Sequence, residues 1–287
     1  MSLLESITSL VRDPPPAHIF ELSASGIAYA VRGQTEFERF GDGVLVPSPV
    51  EDNLRNPDAI SAVLARLAPG NVGKKRTPAA LILPDYAARV TVIDFDSFPS
   101  THEEQLGLVK FRVKKTVPFD IESAAVSYWV QPGTGSRGKV EVVAVTVALE
   151  ILARYEALFR NAGFQAGEVT TSGIAALNLC RDAEMAVVAK LAGKVLSVMV
   201  VAAGKLKIFR CLPLEREDDD EEIRAVLLPT FAYAEDELGT QIKKLILCGF
   251  SREPEGLPVE AEVLRGRAGV AAAHSAGLSG YMEGVKA

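Results

Sequence analysis

Apolar positions along this chain are densest between Ala186 and Cys211, AVVAKLAGKVLSVMVVAAGKLKIFRC, where two apolar runs are separated by Ala202-Ala203-Gly204-Lys205. The runs have strand length and the break has turn chemistry, so the stretch predicts a buried β-hairpin. His18 to Phe40, HIFELSASGIAYAVRGQTEFERF, has nearly the same layout. Each stretch passes from an apolar strand through a small-residue break, Leu22 to Gly26 or Leu191 to Lys194, into a second strand. Each then makes a tight glycine turn, Arg32-Gly33-Gln34 or Ala203-Gly204-Lys205, into a third. A pattern recurring about one domain length apart points to an internal duplication.

Elsewhere the spacing alternates between helix and strand. Ser2 to Val11 puts Leu3, Leu4, Ile7, Leu10 and Val11 on one helical face. That stripe would suit a membrane surface, but only Glu5 and Arg12 stand where anionic lipid favours a Lys/Arg-rich face. Asp13-Pro14-Pro15-Pro16 stops it. Asn56 as N-cap and Pro57 in the first turn open a helix to about Leu67. Strands follow at Ala79 to Leu83 and Arg89 to Phe95, separated by Pro84. Ser100 to Val117 predicts a helix with an N-terminal capping box at Ser100 or Thr101, a buried stripe of Leu106, Val109, Val113 and Val117, and a basic end of Lys110, Arg112, Lys114 and Lys115. Strands Ala124 to Val130 and Val140 to Leu149 come next. On the first, Tyr128 and Trp129 point to opposite faces, so one is expected inside and the other near the surface. A helix over Glu150 to Ala162 is capped by Gly163. A short strand and helix over Val169 to Leu179 lead into the second half. Beyond Cys211, the acidic run Glu215 to Glu222 feeds a helix to Leu238, strands Lys244 to Cys248 and Glu260 to Leu264, and a final helix Gly269 to Gly280.

With 287 residues, 48% of them hydrophobic, the chain has material for about two domains. We divide it into an N-terminal helix and Pro linker (1–16), a first half (17–165) with an inserted small subdomain at about 85–149, and a second half (166–287). The net charge of −6 and the lack of a basic, aromatic-rich stripe argue against nucleic acid as a partner; Gly73 to Arg76 is only a small basic loop. No apolar run approaches the roughly 20 residues that cross a bilayer, and no secretory signal pattern opens the chain, so a cytosolic location is the default expectation. Cys180, Cys211 and Cys248 are odd in number and set in apolar surroundings, which predicts buried thiols. His18, His102 and His274 lack metal-ligand spacing, so no metal site is expected.

The segments KFRVKKTVPFDIESAAVSYWV and LARYEALFRNAGFQAGEVTTSGIAALNL resemble the PilM family of type IV pilus assembly proteins. Val117-Pro118-Phe119-Asp120-Ile121-Glu122 matches its helix-ending turn, and Gly163 to Leu177 a second family run. The resemblance implies a duplicated ribonuclease H-like, actin-like α/β fold of mixed sheets flanked by helices, with ATP and magnesium held between the halves by three motifs. Here each motif departs from the family. The first phosphate motif falls on Glu21 to Ser25, with Glu21 for an Asp and Ser23 for a Gly. The second falls on Ala189 to Gly193, with Lys190 for an acid and Ala192 for a Gly. The adenosine-side motif falls on Cys248-Gly249-Phe250-Ser251, where the Phe250 side chain is expected in the nucleotide's space. Only about Leu212 to Arg224 stands where the family inserts a subdomain carrying one wall of the adenine pocket. The implied protein is a scaffold without ATP chemistry and without a cofactor. Lys190 as a phosphate contact in its own right is the alternative at that position.

By the same resemblance, the partner is the cytoplasmic N-terminal tail of a membrane-anchored PilN-like protein, which would place this chain at the inner membrane's cytoplasmic side. The tail would dock around Val113, Lys114, Lys115, Val117, Phe119, Ile121 and Tyr128; the simpler reading makes Val113, Val117 and Phe119 core. Two rivals stand beside the scaffold: a working assembly ATPase with Glu21 organising the metal, and a small-molecule kinase, whose catalytic acid would have to be Asp85, Asp94 or Asp96, all expected as turn or edge residues.

Overall fold

The computed structural model describes residues 15–69, 75–131, 139–180, 185–239, 241–264 and 275–286. The N-terminal amphipathic stretch, Lys74 and His274 fall outside them. In chain order the elements are β1 (His18–Ser23), β2 (Gly26–Val31), β3 (Gln34–Arg39), α1 (Pro57–Leu67), β4 (Thr77–Leu83), β5 (Arg89–Phe95), α2 (His102–Val113), β6 (Ala124–Val130), β7 (Val140–Ala148), α3 (Leu149–Asn161), β8 (Phe164–Thr171) and α4 (Ser172–Ala176). The second half contributes β9 (Met185–Ala192), β10 (Val195–Ala202), β11 (Lys205–Pro213), α5 (Asp220–Leu238), β12 (Lys244–Cys248), β13 (Glu260–Leu264) and α6 (Ala276–Lys286).

Two five-stranded sheets repeat one topology, β3-β2-β1-β4-β8 and β11-β10-β9-β12-β13. In each, three antiparallel strands are extended by two parallel ones. The turn residues explain the register. Arg32-Gly33 and Ala203-Gly204 all take positive φ, the two-residue turn whose twist matches antiparallel strands. The duplication read from the turns is therefore real strand for strand.

Both faces of each sheet are covered. On the first, Phe20, Leu81, Tyr155 and Phe159 pack with α1 and α3, while Ile19, Ala80 and Ile82 meet Ala175, Leu278 and Tyr281 from α4 and α6. On the second, Leu196, Val198 and Val200 pack with Ile223, Leu227 and Phe231 of α5. Its other face meets Ala176, Cys180 and Val143. The third sheet, β5-β7-β6, lies between β4 and α3 in sequence and carries α2 over one face through Val109, Val113, Ile93, Phe95, Val142 and Ala144. Its opposite face reaches the second lobe through Val90, Val92 and Val143. Gln131 fixes that contact by donating to Leu206 O and accepting from Leu206 N, both at 2.8 Å.

Three elements differ from expectation. Helix α2 stops at Val113, because the backbone and hydroxyl of Thr116 both donate to Val113 O at 2.8 Å and end the helical ladder. Strand β8 starts at Phe164, earlier than Val169, because parallel pairing with β4 extends it. The last helix runs over 276–286, six residues beyond the predicted end at Gly280. Its glycines are a packing face: a Cβ on Gly280 would lie 2.1 Å from Ala175 O, and one on Gly277 2.6 Å from Ser172 Oγ. Between β11 and α5 only residues 214–219 intervene.

Gly280→Ala forces the α6–α4 backbones apart, so urea denaturation should show a loss of about 1–3 kcal/mol. Gly107→Ala on the open face of α2, where a Cβ would meet nothing within 4 Å, should instead gain up to about 1 kcal/mol.

Candidate functional site

The carboxyl ends of β1, β4 and β8 meet those of β9 and β12 in a crevice between the lobes, the place where open α/β sheets bind ligands. Two helix N-termini point into it, and the first turn of a helix carries N–H groups with no partner inside the helix. At α4, Gly173 N donates to Asp85 Oδ1 at 2.5 Å. At α6, Gly277 N and Leu278 N donate to Glu21 Oε1 and Oε2 at 3.2 and 2.7 Å, and the Ser172 hydroxyl also donates to Oε1. Asp85 Oδ2 accepts from Lys190 Nζ at 3.2 Å and from Ser197 Oγ at 2.8 Å. Lys190 and Ser197 are directly opposite on β9 and β10, so one register pair delivers both donors to one oxygen.

Glu21, Asp85 and Lys190 are all buried. Burial raises the Glu21 carboxyl above its ordinary value, against the pull of Lys190, Ser172 and the Leu278 N–H. For Lys190 burial works against the charge, but Asp85 and then Glu21 outweigh it and hold the ammonium above its ordinary value. The triad is a closed set: two carboxylates on two helix ends, with one ammonium between them. The remaining cavity is ≈ 20 Å³, lined by Glu21, Ser23, Ala24, Lys190 and Ala192 among others. That is room for about one water molecule. The two small-residue turns close over it; a Cβ on Gly193 would lie 3.8 Å from that of Ala24.

Of the positions matched to nucleotide motifs, Glu21, Ser23, Lys190 and Ala192 therefore share one cleft. Gly249 and Phe250 do not line it, and Phe250 packs with Leu191, Ile223 and Leu247 in the core of the second lobe. Asp85 does stand in a turn, opening one at 85–87 directly after β4 as expected, but its side chain is buried and forms the centre of the cleft. A lone lysine inside the apolar run AVVAKLAG demands a buried acid, and the acid directly after the apolar strand AALILP was the signal for it.

The seven residues placed at a partner groove separate. Val113 and Ile121 are fully inside the small-sheet core, and Val117, Phe119 and Tyr128 pack against it while remaining half-buried. Lys114 and Lys115 are exposed. The Tyr128 hydroxyl meets His102 Nδ1 and donates to Gln105 Oε1, each at 2.8 Å, and Trp129 keeps 37% exposure on the opposite face. Burial pushes the thiols up, Cys180 to about 11 and Cys211 and Cys248 to about 12, so none is a nucleophile at neutral pH. Among the described residues no cluster of His, Cys, Asp and Glu is arranged to hold a metal ion, and no helix is long and apolar enough to cross a membrane.

No protein-family model and no curated protein sequence matches the chain. Solved structures do. A chain of a PilM–PilN type IV pilus biogenesis complex superposes with a TM-score of 0.70 at 16% identity, over 94% of this chain and 99% of that one. The fold is the actin-like one. The cytoplasmic domain of EpsL, an inner-membrane component of the Vibrio cholerae type II secretion system, matches at 0.53 with 13% identity over 94% of each chain. A Bacteroides thetaiotaomicron protein with an actin-like ATPase fold matches at 0.51 with 12% identity over 83% of each.

Asp85→Ala leaves a buried ammonium and a bare helix end, so it should cost about 3–5 kcal/mol, and Asp85→Ala/Lys190→Met should recover much of that. Phosphate or sulfate should raise the melting temperature of Asp85→Ala more than that of the parent; equal shifts would refute the anion-site reading of α4. A second test uses Glu141, which joins the small sheet to β11 through Lys207 and, at 2.9 Å, Lys205. Burial pushes its carboxyl up, but hydrogen bonds from Lys207 and Lys205 outweigh that and hold it below its ordinary 4.5. The stability this adds is present above the ordinary value and lost as pH falls through the folded one. Glu141→Gln should thus be less stable than the parent by about 1–3 kcal/mol at pH 7, a gap that closes on acidification below 4.5.

Proposed function

We propose that this protein is a scaffold of the PilM type: an actin-like fold that binds the short cytoplasmic tail of a membrane-anchored, PilN-like protein and no longer takes a nucleotide. The observation that carries the proposal is the filled crevice. Its helix N-termini, where phosphates would be cradled, already hold Asp85 and Glu21, and what remains between them has room for about one water molecule. Glu21 is not free to organise a metal, since each of its oxygens accepts from the α4–α6 region. Asp85 is equally committed, which disfavours phosphoryl transfer to a small molecule: both oxygens are bonded, and the cavity it lines has room for about one water molecule.

The tail would bind to the small sheet. Strand β6 ends that sheet, so among the described residues the outer edge of its backbone has no strand partner, and an extended segment would gain main-chain hydrogen bonds there. Trp129 and Val130 are exposed on this strand beside half-buried Tyr128. Lys114 and Lys115 offer charge to acidic side chains of the tail. This reading carries the family's partner to this chain by fold likeness and keeps the protein at the inner membrane through that partner.

Thermal shift and fluorescence anisotropy test the two halves of the proposal separately. Millimolar Mg-ATP should leave the melting temperature unchanged, because a ligand that binds only the native state must raise it. A labelled PilN-like N-terminal tail peptide should bind, and Val130→Pro, which removes an outward-facing N–H from β6 and leaves its pairing with β7 intact, should weaken it at least about tenfold. Saturable ATP binding, or a tail affinity indifferent to Val130→Pro, would contradict the respective half.

A further inference from the structure

Helix α2 leaves one aromatic side chain in water. Val109 and Val113 face the core, and at 100° per residue Phe111 lies opposite them, 74% exposed. Isolated exposed apolar residues are ordinary, but this one is set among cations. Lys114 and Lys115 share its face at the helix end, and Arg112, also exposed, reaches over the Phe95 ring at 5.2 Å. Lys110 is partly neutralised by Glu122 at 3.5 Å. The acids of the helix, Glu103 and Glu104, are at its other end, while the following turn brings Asp120, whose carboxylate is engaged with Glu122 N. A chain of net charge −6 thus carries a local cluster of basic residues around a bare phenyl ring.

The setting of this cluster narrows the partner. Helix α2 covers the outer face of the small sheet, whose other face packs on the second lobe, so it forms an outermost layer of the protein. One turn before Phe111, a Cβ on Gly107 would touch nothing. Among the described residues the face is therefore open on its N-terminal side, with nothing at Gly107 to enclose a peptide side chain. We infer that the C-terminal end of α2 docks onto an anionic lipid surface, Phe111 entering the headgroup–acyl boundary and Lys114, Lys115 and Arg112 meeting the lipid phosphates. A bilayer closes around a projecting ring by itself, and its negative charge supplies the counterpart to the cations. One ring and three cations give a weak, reversible and salt-sensitive contact. The inference goes beyond the scaffold reading and does not rest on it.

Sedimentation of the full chain with vesicles decides the matter. At low salt the protein should pellet with vesicles containing phosphatidylglycerol and phosphatidylethanolamine, not with phosphatidylcholine alone, and 0.5 M salt, on the order of a 4 Å screening length, should release it. Lys114→Glu/Lys115→Glu should weaken partitioning by at least about twenty-five-fold, from about fivefold per lost cation. Phe111→Ser should weaken it severalfold, while Phe111→Trp should retain it. All three variants alter exposed side chains, and unchanged melting temperatures verify their folding. The inference fails if the parent shows no preference for phosphatidylglycerol. It fails also if Lys114→Glu/Lys115→Glu and Phe111→Ser sediment like the parent, which places the lipid contact elsewhere on the chain. If Phe111→Ser loses the PilN-like tail peptide while still sedimenting, the ring belongs to a protein interface and the inference is overturned.

Discussion

Two helix ends pointing into one buried crevice must find negative charge, and most of what is distinctive here follows from how that demand is met. In an actin-like arrangement the N–H groups at such ends are available to a ligand. In this chain they are taken by Glu21 and Asp85, supplied by the first lobe itself. Two carboxylates brought so close and so deep need a compensating cation, and Lys190 is it. Because Lys190 and Ser197 come from the second lobe, the group that neutralises the crevice also fastens the lobes together. Gln131 and Glu141 fasten the small sheet to β11 in the same manner, through polar bonds at the margin of apolar contacts.

This division of labour separates folding from recognition. Each lobe has its own apolar core, continuous from sheet to helices, and needs nothing from the crevice to be compact. The polar network joins bodies that already fold, so its contribution is relative placement. The two surfaces proposed above for contact with other molecules both lie on the small sheet: the outer edge of β6 and the outer side of α2. Both are far in chemical character from the crevice, one the edge of a strand and the other an exposed ring among cations.

The fold was legible where its signals are local. Turn chemistry at Arg32-Gly33 and Ala203-Gly204 and the period of the flanking strands gave the duplication, and the bounds of β12 and β13 could be read outright. The last helix was read six residues short at its end for a physical reason: Gly280 and Gly284 look like breakers in a list of propensities, yet their missing side chains are what admits Ala175 and Asn178 at close range. The crevice was half legible. Lys190 stood out as a charge in an apolar strand. Its partner did not, because Asp85 lies 105 residues away and reads locally as an ordinary acid after a proline. Contacts of that separation leave no trace in a window of ten or twenty residues; only the rule that a buried ammonium needs a carboxylate would have led to it.

The central claim, that the protein's own carboxylates stand where nucleotide phosphates would, is tested most directly by a crystal structure determined with millimolar Mg-ATP. The account predicts Lys190 on Asp85, Glu21 on the first turn of α6, and no nucleotide density between the lobes. Phosphates seated on Gly173, Gly277 or Leu278, with Asp85 or Glu21 swung aside, would contradict it.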